Sequence, residues 1–130
     1  MEASVKYLLD TCILIDYLRG EPNVYDLLAG DAAASLSMST ITMMELIIGA
    51  FNKREVRYIQ KAFAKINTVY VSEDISIKAE ELIVEYSKSH NLQIDDAIIA
   101  ATALKMDTEL ITYNVSDFSF VPNIKLYQFG

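Results

Sequence analysis

The chain has 130 residues, of which 52% are hydrophobic, and a formal net charge of −7. A chain of this length forms a single domain, spanning 1–130, and buries enough apolar surface to fold without disulfides or a structural zinc. The acidic balance disfavours tight, unassisted binding of long nucleic-acid duplexes, because neutralisation of phosphates by basic side chains drives that affinity. It does not exclude an enzyme whose metal ion cancels local carboxylate charge, or a protein with a basic partner.

Cysteine and histidine are each present once, as Cys12 and His90. These numbers exclude an internal disulfide framework and a Cys/His zinc cluster. The N-terminus has no signal-peptide pattern, and no apolar run reaches the roughly 18 residues that a membrane span requires. We therefore expect a soluble cytoplasmic protein with no membrane segment.

Short apolar runs alternate with helical patterns from the start of the chain. The nearly unbroken apolar run at 5–9 is typical of a strand buried on both faces. The elements predicted after it are helices at 12–18 and 22–28, a strand at 35–39, and a helix opened by the capping box Thr42-Met43-Met44-Glu45.

The second half continues the alternation. Its predicted elements are helices at 55–66, 74–89 and 95–106, and strands at 68–71, 109–112 and 124–127. Strands that alternate with helices of this length pair in parallel through crossover connections. The predicted fold is therefore an α/β protein, a three-layer α/β/α sandwich around a central parallel sheet.

Acidic residues stand where these elements begin or end. Asp10 follows the first strand, Glu45 and Asp96 open or lie in helices, and Asp117 follows a late strand together with Asn114. Ligands of open α/β sheets collect outside the carboxyl ends of the strands. Carboxylates that converge there repel one another unless a divalent cation lies between them. The pattern favours a magnesium site, which typically serves phosphates.

Each of these residues also has a purely structural interpretation. Asp10 could be only the N-cap of the first helix, and Glu45 could be only the acidic member of its capping box. Asn114 and Asp117 are common turn residues.

The adjacent pair Asp95 and Asp96 is separated by helical spacing. Asp96 shares its helix face with Ile99 and Ala103, the face that packs on the sheet, whereas Asp95 is rotated away and suits a cap. A carboxylate on the packed face is costly unless it is paired, which favours Asp96 as the ligand.

Taken together, these segments resemble the PIN-domain nucleases, and in particular the VapC-like toxins of type II toxin–antitoxin pairs. The matching residues occur in order along nearly the whole chain: Leu8-Leu9-Asp10-Thr11 with Asp16, Ser39-Thr40-Ile41-Thr42 with Glu45-Leu46 and Gly49, Asp96-Ala97-Ile98-Ile99-Ala100-Ala101-Thr102-Ala103, and Thr112-Tyr113-Asn114 with Asp117-Phe118.

The resemblance implies a PIN-like fold and Mg²⁺- or Mn²⁺-dependent hydrolysis of RNA phosphodiester bonds. The family's metal-holding acids fall on Asp10, Glu45 and Asp96. Its fourth acidic position often coincides with Asn114, which leaves that role to Asp117, to Asn114 through its carbonyl or a water, or to no residue; of these we favour Asp117. The expected outer residues, which would hold water or phosphate, are Thr11, Thr40 and Asn114.

The resemblance also implies partners. These are an RNA substrate (tRNA, rRNA or mRNA), a small antitoxin with a basic segment, and a second copy of the chain in a homodimer. Lys53, Arg57, Lys61 and Lys65 recur every fourth residue on a predicted helix face, either as a solvated surface or as a contact for the RNA backbone.

Two other classes remain open from the sequence. A non-catalytic RNA or protein interaction module could retain the same fold, and Asn114 in place of an acid favours it. A magnesium-dependent receiver or phosphotransfer domain also gathers acids at the end of a parallel sheet. That class requires a lysine after a late strand, where this chain has Tyr113-Asn114.

Overall fold

The computed structural model describes residues 6–29 and 35–129. The strands are β1 (Tyr7–Leu9), β2 (Leu36–Ser39), β3 (Asn67–Val69), β4 (Glu109–Ile111) and β5 (Lys125–Leu126). The helices are α1 (Thr11–Leu18), α2 (Pro22–Ala29), α3 (Thr40–Ile48), α4 (Lys53–Ala62), α5 (Glu73–His90) and α6 (Ile94–Met106), with a 3-10 turn at Val115–Asp117.

The strands form one parallel sheet of five in the order β3-β2-β1-β4-β5. Strand β1 is central, with Leu8 opposite Ser37 of β2 and Leu110 of β4. The chain moves outward from β1 to β3 and then returns to the other side of β1 as β4. This reversal makes the β1–β4 boundary the switch point of the sheet, where ligands of such folds bind.

Helices cover both faces of the sheet, because neighbouring strand residues point into different cores. Leu8 and Leu110 pack with α5 and α6, whereas Leu9 and Ile111 pack with α1 to α4. All of these strand side chains are fully buried. The predicted three-layer α/β/α sandwich with a central parallel sheet is confirmed.

The start of α3 corrects the predicted capping box. The helix begins at Thr40 after Ser39, whose hydroxyl accepts a hydrogen bond from the Ile41 backbone N–H at 3.2 Å. Thr42 therefore lies inside the helix, and Glu45 has no capping role there. The prediction failed because two overlapping Ser/Thr signals precede the same apolar run.

Several other boundaries shift. Helix α4 ends at Ala62 rather than at residue 66, so Lys65 lies beyond it and only Lys53, Arg57 and Lys61 share its exposed face. The predicted strands at 68–71, 109–112 and 124–127 are each shorter in the structure, and α5 and α6 each begin one residue earlier. Val5, the predicted first residue of β1, is outside the described residues.

Within the described ranges, no helix has both the length and the hydropathy of a membrane span.

The Ser39 cap gives the first prediction. Ser39 is fully buried, so Ser39→Ala leaves the Ile41 N–H without a partner and lowers the free energy of unfolding by about 1 kcal/mol. Urea denaturation measures the change. Ser116→Ala, at an exposed position of the 3-10 turn, is the matched control; equal stability of both variants would contradict the assignment of Ser39 as the cap.

Candidate functional site

Asp10 lies at the centre of the carboxyl edge of the sheet, directly after β1, and is 5% exposed. It is the N-cap of α1, and its Oδ1 accepts a hydrogen bond from the Thr11 backbone N–H at 2.8 Å. Its Oδ2 accepts one from Thr112 Oγ1 at 2.7 Å. Both carboxylate oxygens are thus oriented by the protein, and Oδ1 keeps a lone pair for a further ligand.

Glu45 reaches the same edge from α3. Its Oε1 accepts a hydrogen bond from Thr11 Oγ1 at 2.8 Å, and Thr11 Oγ1 also lies 3.2 Å from Thr42 Oγ1. Thr42 and Glu45 share a helix face, since they are one turn apart. Burial raises the pKa of Glu45, the Thr11 hydrogen bond lowers it, and neighbouring Asp95 and Asp10 raise it.

Asp96 shows the strongest electrostatic perturbation. Its pKa is raised to about 7, most strongly by burial and then by the charges of Asp95, Asp10, Asp117 and Glu45, in that order. The group is half-buried in the first turn of α6, where Asp95 Oδ1 accepts the Asp96 backbone N–H at 2.8 Å. The pKa of Asp96 therefore reports carboxylates from four separate segments of the chain that converge on it.

These carboxylates suit a hard divalent cation by chemistry, because they supply oxygen ligands and carry mutual repulsion that a cation relieves. Their side chains are nevertheless not closed around a point. No three Asp, Glu, His or Cys side chains of the described residues are grouped closely enough to hold one ion. Binding would therefore require the carboxylates to turn towards one another.

The other predicted positions lie around this group. Asp117 is exposed at the end of the 3-10 turn, and Asn114 precedes that turn with an exposed side chain. Thr40 is half-buried at the start of α3, and among the described residues its hydroxyl makes no hydrogen bond to a carboxylate. The roles predicted for Asp117, Asn114 and Thr40 stay predictions.

Thr112 is the main residue that the sequence reasoning missed. It is buried after β4, donates to Asp10, and accepts the Asn114 backbone N–H at 2.9 Å. It was included in the resemblance, but as part of a motif and without a role. The only signal in the sequence was its place at the end of the predicted strand 109–112, which does not indicate a bond to Asp10.

Cys12 and Asp16, both in α1, each contact a neighbouring polar side chain. The Cys12 thiol donates to Asp10 Oδ2 at 3.6 Å, and burial together with the charge of Asp10 raises its pKa, which favours the neutral thiol over a nucleophilic thiolate. Asp16 forms an ion pair with Arg19 at 3.9 Å.

The raised pKa of Asp96 predicts how stability depends on pH without metal. Since the folded pKa lies above the usual value of 3.8, the folded state keeps a proton that the unfolded state loses, and stability falls as pH rises from near 3.8 to about 7. Asp96→Asn removes this loss. We expect it to raise the free energy of unfolding at pH 8 by about 1–2 kcal/mol after allowance for solvent screening.

Urea denaturation of both proteins in chelator at pH 4 and pH 8 measures this difference, which should be small at the lower pH. Glu80→Gln, at an exposed position of α5, controls for the loss of one negative charge. A variant that is no more stable than wild type at pH 8 would contradict the placement of Asp96 among the carboxylates.

The hydrogen bonds of Thr112 predict a cost for its isosteric replacement. Thr112→Val removes the donor to a buried carboxylate and the acceptor for the Asn114 N–H, and should lower the free energy of unfolding by about 1.5–3 kcal/mol. Thr112→Ser keeps both hydrogen bonds and should lower the free energy of unfolding much less. If Val is tolerated as well as Ser in chemical denaturation, the hydroxyl has no such role.

Comparison with known proteins identifies the family. The profile of the PIN domain matches residues 7–121. Ribonuclease VapC19 of Mycobacterium tuberculosis is 34% identical over 122 residues, which cover 91% of this chain and 96% of the relative. Ribonuclease VapC1 of Haemophilus influenzae is 30% identical over 129 residues, covering 92% and 94%.

Solved structures agree with this result. A toxin–antitoxin complex from Klebsiella pneumoniae contains a chain 33% identical to this one, with a TM-score of 0.77 over 95% of this chain and all (100%) of that chain. VapBC-1 from nontypeable Haemophilus influenzae matches with 26% identity and a TM-score of 0.80, over 95% of this chain and 98% of that chain. The chain therefore belongs to the PIN-domain family and is a relative of the VapC ribonucleases.

Proposed function

We propose that this protein is a metal-dependent endoribonuclease, the toxin of a toxin–antitoxin pair. The observation that carries the proposal is the position of Asp10, Glu45, Asp95 and Asp117 around a half-buried Asp96, where burial and then these charges raise the pKa of Asp96 to about 7. The similar proteins named as ribonucleases and the similar chains solved within toxin–antitoxin complexes support it. The substrate would be RNA, and the reaction would hydrolyse its phosphodiester bonds.

Asp10, Asp96 and Glu45 are the proposed ligands of Mg²⁺ or Mn²⁺, with Asp117 as the fourth acidic residue. The bound ion would supply charge neutralisation at the scissile phosphate and activation of a water nucleophile. Asp117 is favoured over Asn114 because its carboxylate contributes to the raised pKa of Asp96.

The surrounding residues of the chain prepare this site. Thr112 and the Thr11 backbone N–H orient the two oxygens of Asp10, and the Thr11 hydroxyl orients Glu45. The Thr11 hydrogen bond lowers the pKa of Glu45, against the larger effect of burial. The pKa of Asp96 is raised to about 7, so below that pH its carboxyl group holds a proton that a bound cation would displace.

An antitoxin partner and a homodimer belong to the same proposal. Beside Glu45, α1, α3 and α4 enclose two adjoining grooves, with volumes of about 540 and 360 Å³, that share Leu18, Glu55 and Ile59. Phe51 is 89% exposed next to them. An exposed apolar surface of this kind marks a protein interface, and we propose that the antitoxin covers it and the acidic site together.

The exposed basic residues Lys53, Arg57 and Lys61 of α4 are the proposed contact for the RNA backbone. They are positive side chains on a chain whose net charge is −7, so they offer phosphates a local attraction. We propose the cytoplasm, where the substrate is found, as the location of the enzyme.

Cleavage of a panel of total RNA and tRNA with Mg²⁺ or Mn²⁺ tests the function. Wild type should cleave, and chelator, Asp10→Asn and Asp96→Asn should each abolish cleavage, because each removes the ion or one of its ligands. Asp74→Asn, an exposed position in the first turn of α5, is purified identically as the control and should cleave like wild type.

A measurement of binding complements the activity. Mg²⁺ or Mn²⁺ should raise the Tm of wild type but not of Asp96→Asn, since a ligand stabilises the folded state that binds it. Equal cleavage by all variants would indicate a contaminating nuclease. A Tm increase without cleavage of any RNA would favour a non-catalytic interaction module.

A further inference from the structure

We propose that a further cavity, distinct from the two grooves described above and beside the acidic site, binds an unpaired base of the RNA by stacking it against Tyr113 and Phe129. The inference rests on the proposed function, because it names the form of RNA that the same site would accept. The cavity has a volume of about 340 Å³ and is lined by Asn23, Val24, Asp26, Tyr113, Tyr127 and Phe129.

Four aromatic rings form a continuous row at this place. Tyr113 stacks on Phe129 with 5.5 Å between ring centroids and 27° between planes. Tyr127 meets the edge of Phe129 at 5.1 Å and continues to Tyr7 at 5.7 Å. The two rings that stack on each other remain open to solvent, with Tyr113 46% and Phe129 52% exposed. Exposed rings fixed in place by other rings form a rigid platform for stacking.

The platform is connected directly to the acidic site. Tyr113 lies between Thr112, which donates to Asp10, and Asn114, whose N–H returns to the Thr112 hydroxyl. The Asp16 carboxylate faces the Tyr113 phenol and, after burial, is the next cause that raises its pKa. A base on this platform would therefore belong to a nucleotide close to the phosphate held at Asp10.

The charges around the cavity select a base over a phosphate. Asp16 and Glu21 act electrostatically on Tyr113, and Asp26 lines the cavity itself. These carboxylates repel the RNA backbone but can accept hydrogen bonds from the amino and imino groups of an uncharged base. The Asn23 amide offers both donors and an acceptor. Specific recognition of RNA uses unpaired bases stacked on aromatic side chains in this way.

A double-mutant cycle that combines protein substitutions with abasic RNA positions tests the stacking. An RNA oligonucleotide that wild type cleaves at one phosphate is synthesised with an abasic nucleotide at each flanking position in turn. Tyr113→Ala and Phe129→Ala should lower kcat/KM on the intact RNA by about five- to 150-fold. At one of these positions, removal of the base should lower kcat/KM of wild type by a similar factor. At the same position it should not lower kcat/KM of Tyr113→Ala any further.

Two further variants separate the ring from other effects. Tyr113→Phe keeps the ring and should recover most of the activity that Tyr113→Ala loses. Tyr70→Ala removes another exposed ring, 73% exposed after β3 at the opposite edge of the sheet, and should cleave like wild type. Unchanged cleavage by Tyr113→Ala and Phe129→Ala would overturn the proposal and leave the rings as a surface for a protein partner.

Photochemical crosslinking gives a readout that needs no cleavage. Single-stranded oligonucleotides containing 5-iodouracil are irradiated with wild type in chelator, and the crosslinked peptides are identified by mass spectrometry. Crosslinks at Tyr113 or Phe129 are expected, and crosslinks elsewhere alone would overturn the platform. If wild type cleaves no RNA, the proposed nuclease function fails while the crosslinks still decide whether a base binds here.

Discussion

Repulsion among carboxylates at the carboxyl edge of the sheet is the interaction on which the site depends. The fold brings Asp10, Glu45, Asp95 and Asp117 towards a half-buried Asp96, and burial followed by these charges raises the pKa of that group to about 7, so its ionised form carries a free-energy cost. Hydrophobic packing on both faces of the sheet must offset this cost, and the fully buried strand residues supply it. The cost lies at the switch point of the sheet, and the cation proposed to bind there would lower it by neutralising the carboxylates.

The architecture and the position of Asp10 directly after the central strand could be predicted from the sequence, because both follow from short patterns. Apolar runs of strand length mark the sheet, and Asp10 comes directly after the first of them. Glu45 was predicted as a site residue, but with a competing role as a cap that the structure removes. Local spacing could not decide this, because Ser39 and Thr42 offer equivalent signals and only tertiary packing selects one.

Contacts between distant segments could not be predicted in the same way. Thr112 lies 102 residues from Asp10 along the chain, and nothing in the pattern of either segment indicates the bond. The aromatic row likewise depends on a contact between distant segments, since Tyr7 and Tyr127 meet across the sheet. The sequence offers no reason to single out one of its eight tyrosines. Only the structure distinguishes Tyr113 from Tyr70, because it places Tyr113 next to the residue that bonds Asp10.

The order of the strands has a consequence for biosynthesis. The central strand β1 is made early, but its neighbour β4 and the helix that carries Asp96 come from the last part of the chain. A nascent chain therefore holds Asp10 without the residues that orient and surround it. The hazardous chemistry proposed here would be confined to molecules whose translation has passed β4, and the cell would have that interval to supply an inhibitor.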